Sequence, residues 1–548
     1  MNTSTPVLVL LLAMVATPPG GQERHVHHAA GDLSGLGTVT FANSGAKGAQ
    51  VPFLRGLALL HSFEYDQAAE AFRAAQAADP AFAMAFWGEA LTYSHLLWGE
   101  DDLAGARAAL ARLAPTREAR VAKAGTLRER AFGDAIEALY VEADPSTRIR
   151  GFLDAMRRLA EQHPKDADAL AFASLASMFA GYLSEMAPAE RDSMRSAAID
   201  YAQRVFDAFP NHPGGAHYLI HACDNPEFAA RGLAAARRYA EIAPDAEHAL
   251  HMPSHIFVQL GLWPDTVASN VRSWAASRKD VETRKLSNAR LSFHALLYEQ
   301  YARLQLGQYA ASQTALAKAK SVLAGVDLTN GEYVDARHAV SELAFQHAAN
   351  TGNWSAETCR DIGTDPAPAP AGVSDRDRIF RARAGYRAAI ASIACGTSSD
   401  ALEALRARVK AQAADDFAGP MRQMALQHAE LIAFAAGRPS LSADTLLADP
   451  AVASRAPVGP PPTLRLEELL GQARLKAGKP REAVAAYEKA LKLTPNRSPV
   501  LLGLARARRA AGDAAGAADA YRKLLENWKR TDRDLQELAE VRDGAAVR

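Results

Sequence analysis

Cysteine is scarce in this chain, with three in 548 residues, and that excludes a disulfide framework. Two arrangements stay open. Cys359 and Cys395 can pair in an oxidising compartment and leave Cys223 as a buried thiol, or all three are unpaired small hydrophobic side chains. Aromatic residues are also few, 7% against 49% hydrophobic overall, and alanine is abundant. That balance favours helices packed through small contacts over a β-sandwich. No excess charge of either sign exists, since Lys+Arg and Asp+Glu are both 62, so no nucleic-acid partner is expected. Long hydrophobic runs are missing too. The one candidate, Val7 to about Ala16, is too short to span a bilayer but fits the core of a secretory signal. Residues 1–21 are therefore expected to be a signal peptide, although they lack Lys, Arg and a clean small-x-small cleavage site. The mature chain is expected to be periplasmic or secreted, without a transmembrane helix. Absent as well are a phosphate-cradling Gly-rich loop, His-Glu-x-x-His and a Gly-x-Ser-x-Gly elbow, so whether the chain is an enzyme stays open.

What the chain does have is a repeat. "LLGQARLKAGKPREAVAAYEKALKLTP" is followed by "LLGLARARRAAGDAAGAADAYRKLLEN", placing Gly478 and Gly512, Ala483 and Ala517, and Tyr487 and Tyr521 each 34 residues apart. Each unit reads as helix, glycine turn, helix. The amino-terminal "GLALLHSFEYDQAAEAFRAAQAADP" carries Gly56, Tyr65, Ala68, Phe72, Ala75 and Pro80 at corresponding places, and Trp87-Gly88 opens the next unit. This pattern resembles the tetratricopeptide repeat (TPR) over roughly two-thirds of the chain. The resemblance implies an all-α, TPR-like α-solenoid: a right-handed superhelix of helix hairpins with a concave groove lined by the first helix of each unit. "AHYLIH", "HALHMPSHIF" and "AFWGEALTYSHLLW" further resemble a set of exported bacterial TPR proteins, a likeness that implies the array but names no substrate.

The expected organisation is a signal at 1–21, an extended segment at 22–48 holding the one strand-like run "TVTF", and a main array at 49–363. A Pro-rich linker at 364–375, a helical segment at 376–437, a second Pro-rich linker at 438–463 and a carboxy-terminal TPR pair at 464–548 follow.

The histidines carry the chemistry. His217 and His221 lie four apart beside the apolar stripe of Ala216, Leu219, Ile220 and Cys223, and His251 and His255 repeat that spacing 34 residues later. The repeat thus carries one histidine pair onto a neighbouring helix, about 8–10 Å away, aimed at the same space. Imidazole suits zinc, copper and iron, so these four are the candidate metal ligands. Pro253 interrupts the second pair and weakens its helical spacing. His61, His95, His248 and His294 are candidate groove residues, and Glu89 and Asp224 are candidate general bases. Two readings follow. One is an exported scaffold that accepts a peptide or protein partner in a histidine-bearing groove. The other is a metalloprotein with a transition-metal cofactor, zinc, copper or iron, for which hydrolysis is one open reading. "HVHH" at 25–28 reads as spacer.

Overall fold

The computed structural model describes residues 34–98, 100–183, 186–329, 333–363, 375–396, 400–411, 419–437, 464–532 and 534–547. The signal segment, "HVHH" and both Pro-rich linkers, apart from Asp375, lie outside these residues.

Among the described residues nearly all regular structure is helical. Each helix packs on its sequence neighbours: Gln50–His61 on Tyr65–Ala78, Ala167–Gly181 on Pro188–Ala208, Pro188–Ala208 on Pro213–Cys223, and so on to Ala514–Asn527. This is the TPR-like α-solenoid. Its clamp is the same at both ends. Phe72 fills the gap between Gly56 and Gly88, where an added Cβ would lie 2.9 and 2.4 Å from the ring. Tyr487 fills the gap between Gly471 and Gly503, where a Cβ would lie 2.7 and 2.4 Å away. An aromatic on one helix is thus sandwiched by the small residues of the helices on either side, which is why the glycine and aromatic spacing recurs.

Two features differ from the sequence expectation. "TVTF" is not in a sheet: Val39 and Phe41 are buried on an extended segment, and the Thr38 N–H donates to the Asn211 carbonyl at 2.8 Å. The paired strands described are a two-residue hairpin, Ser94–His95 with Glu100–Asp101. The carboxy-terminal repeats, moreover, do not hang from a tether. Buried Arg497 bonds Glu468 at 2.7 Å and the Tyr301 hydroxyl at 2.9 Å, while Trp263 Nε1 donates to the Asn496 carbonyl at 2.9 Å.

The amino-terminal unit folds back as well. Gln50–His61 packs on Pro213–Cys223, and the Asp245 N–H donates to the Gly35 carbonyl at 2.9 Å. This closure covers the face on which the histidines stand.

Candidate metal centre

Pro213 sits in the first turn of the helix Pro213–Cys223, where its fixed φ and missing N–H suit a helix start. That helix carries His217 and His221 one turn apart, with ring centroids 4.7 Å apart. His248 comes from the short helix Glu247–His251 and lies 5.0 Å from the His217 ring. The three offer ligand atoms within 4.8 Å of one another. His217 Nδ1 donates to the His61 carbonyl at 2.6 Å, so its Nε2 carries a bare lone pair. Nε2 of His217, of His221 and of His248 is buried without a hydrogen-bond partner in each case. Burial and mutual proximity hold all three rings neutral: His217 is pushed down to about 3, and His221 and His248 well below the usual histidine range. A neutral ring with one nitrogen tied to an acceptor and the other unoccupied, as in His217, is what a metal ligand requires.

A second set adjoins the first. Met252 ends one helix and Pro253 starts the next, so His251 and His255 do not share a helix, yet their Nε2 atoms stand 3.0 Å apart. His251 Nδ1 donates to Asn270 Oδ1 at 2.7 Å, an amide oriented by its own Nδ2 bond to the Thr266 carbonyl at 2.8 Å. His255 Nδ1 donates to Asp224 Oδ2 at 2.7 Å. With both Nδ1 atoms on oxygen acceptors, the two Nε2 atoms face each other, a contact that a shared proton or a cation satisfies. His294, from the helix Phe293–Gln305, completes this set with its ring 4.7 Å from His251, and burial holds it well below the usual range. The sets are contiguous. His221 and His255 rings are 6.1 Å apart across them, as are His248 and His251, against 6.2 Å for His221 and His248 within one set.

The walls are aromatic. Phe63 packs on His217 at 4.4 Å and on His221 at 5.5 Å, Trp98 lies 5.8 Å from His248, and Tyr298 lies 5.0 Å from His255. His221, His248 and His294 keep partial exposure, and His294 borders a cleft with Phe380 and Arg383.

The other sequence candidates have different duties. Glu89 is fully buried between Arg73 and Arg112, with Gln76 also donating to it, a structural ion cluster. Asp224 accepts from His255 and, at 2.9 Å, from Gln259, so it orients a ring. Both carboxylates thus accept hydrogen bonds from side chains of the protein. His95 spends both nitrogens on Glu100 and the Thr92 carbonyl and stacks on Tyr65. His61 is fully enclosed, bonded to Tyr218 and Asp168 at 3.0 Å each, so it lines no open groove. Sequence reasoning missed His212 and Asp168. The "HP" start at His212 was the only local signal, and nothing local marks Asp168, which stands at a helix start 107 residues from His61.

Residues 474–538 match the tetratricopeptide repeat family. No curated protein matches the chain. Solved structures that resemble it include human IFIT1, crystallised as a dimer with m7Gppp-AAAA, at 11% identity over 91% of each chain with a TM-score of 0.31. Yeast Tom70 is 11% identical over 91% of this chain and 95% of its own, with a TM-score of 0.23. The P58(IPK) TPR domain is 12% identical over 91% and 98%, with a TM-score of 0.19. A TPR-like array is consistent with a scaffold that binds a protein or another ligand. Among the described residues no helix is long and apolar enough to cross a membrane.

Proposed function

We propose that this protein is a metalloprotein that holds zinc, copper or iron in two adjacent three-histidine sites, His217/His221/His248 and His251/His255/His294. One observation carries the reading: three buried Nε2 atoms in the first set converge without any hydrogen-bond partner. Buried polar atoms in folded proteins are nearly always bonded, and a cation is the partner this arrangement suits. Because the nearest rings across the sets are 6.1 Å apart, no farther than the widest pair within the first set, the two ions would be close neighbours, as in two-metal centres. Three protein ligands per ion leave a position open, a feature of catalytic rather than structural sites. Such a pair supplies Lewis acidity and lowers the pKa of a water, which fits hydrolysis.

The peptide-groove alternative finds its support elsewhere, in the carboxy-terminal pair that matches the repeat family. At the histidines the chain's own amino-terminal unit packs through Phe63 and the His61 carbonyl. Export is part of the proposal. It is supported by the apolar run near the start and by the Cys359–Cys395 disulfide, a bond kept chiefly in oxidising compartments.

Elemental analysis of protein purified without a histidine tag tests the reading. The paired sets are expected to account for two equivalents of a transition metal, one lost in His221→Ala and one in His294→Ala. Protein that folds and stays metal-free after incubation with each ion contradicts it.

A further inference from the structure

Three chain segments far apart in sequence meet behind the first histidine set. His61 closes the helix Gln50–His61, Asp168 lies in the first turn of Ala167–Gly181, and His212 caps Pro213–Cys223. Their ligand atoms lie within 4.8 Å of one another, and all three residues are at most 3% exposed. His61 Nε2 is 3.0 Å from Asp168 Oδ1, and His212 Nε2 is 3.5 Å from the same oxygen. Donors around one tetrahedral ion with bonds of about 2.0–2.2 Å stand about 3.3 Å apart, between those two separations. Neither nitrogen of the His212 ring has a hydrogen-bond partner, and Asp168 Oδ2 has none either. A mere Asp–His hydrogen-bond network leaves His212 Nδ1 without a partner, and serves His212 Nε2 and Asp168 Oδ2 only through contacts at 3.5 and 3.8 Å. Arg128 Nη2, 3.8 Å from Asp168 Oδ2, and the Tyr218 hydroxyl, on His61 Nδ1, orient the set from outside.

We propose that His61, Asp168 and His212 form a third metal site, for a single divalent transition ion such as zinc, which fastens the amino-terminal unit to the middle of the array. Its ligands are enclosed, so the ion enters as that unit docks and leaves slowly. Full enclosure, rather than ligand number, sets this site apart from the two partly exposed sets. This site stands on its own atoms, and its loss is separable from theirs.

The test is zinc content and chelator release from tagless full-length protein. Wild type is expected to hold three equivalents, one of them released at least tenfold more slowly. Asp168→Asn and His212→Gln are expected to hold two and to lose the slow phase. The double variant His221→Ala/His294→Ala is expected to keep the slow ion, which separates this proposal from that for the paired sets. If Asp168→Asn and His212→Gln both bind as much zinc as wild type, the proposal is wrong. Should either variant fail to fold, anomalous scattering from wild-type crystals decides: a peak among the three ligand atoms supports the site, and its absence at full zinc loading overturns it.

Discussion

Phe63 has a left-handed backbone, φ 57°, and its ring covers His217, His221 and His248. Such a conformation costs a non-glycine residue on the order of 1 kcal/mol or more and persists where the surroundings enforce it, commonly at functional sites. Phe63→Gly relieves that strain but removes a buried ring. A net loss of about 2 kcal/mol is expected in urea unfolding, with faster metal release because the wall is open. Titration offers a second check far from the metal sets. Buried His428, beside Tyr386, is pushed down to about 4 by burial alone. Its unfolded value is about 6.5, so the folded state binds fewer protons between those values. Stability is therefore full above about pH 6.5 and falls as pH drops towards 4, and His428→Gln should flatten that slope in urea midpoints measured against pH. At this scale the paired histidine spacings were legible because a helix turn and a repeat translate side chains regularly. His212 and Asp168 were not, since only the folding of distant segments brings them together.

The helix clamps are the element-scale counterpart. At Gly88 a methyl would lie 2.4 Å from the Phe72 ring, so Gly88→Ala must push helices apart. A loss of about 1–3 kcal/mol is expected from overpacking, read from the denaturation midpoint. The Cys359–Cys395 bridge links the middle of Ala356–Ile362 to the residue just after Asp375–Ala394, Cα atoms 6.5 Å apart, across a separation of 36 residues. Closing such a loop restricts the unfolded chain by about 4 kcal/mol, so Cys359→Ser should lower the melting temperature in non-reducing buffer. The terminal repeats were legible because a small residue facing an aromatic is a size pattern that survives in sequence. The middle was obscure for the opposite reason. Ala167–Gly181 is buried on every face, so it shows no stripe to read.

For the whole molecule, the ends return to the middle. Arg497 is the pin at the carboxy-terminal contact, a fully enclosed guanidinium on Glu468 and Tyr301. Arg497→Ala strands a buried carboxylate, a change of about 3–5 kcal/mol. It is expected to free the last repeats, seen as early proteolytic cleavage after about residue 437 and a larger radius in X-ray scattering. Neither return was visible in the sequence, because contacts such as Trp263 with Asn496 follow no period. The amino-terminal return matters most for function. It brings Phe63 against the first of two adjoining histidine sets, the six imidazoles proposed to hold the metal ions. X-ray absorption at the metal edge of the loaded, tagless protein tests that claim most directly. The account predicts an inner shell with three imidazole nitrogens at about 2.0–2.1 Å and a metal–metal vector near about 3.5–4 Å. A shell of water and carboxylate oxygens without imidazole scattering would contradict it.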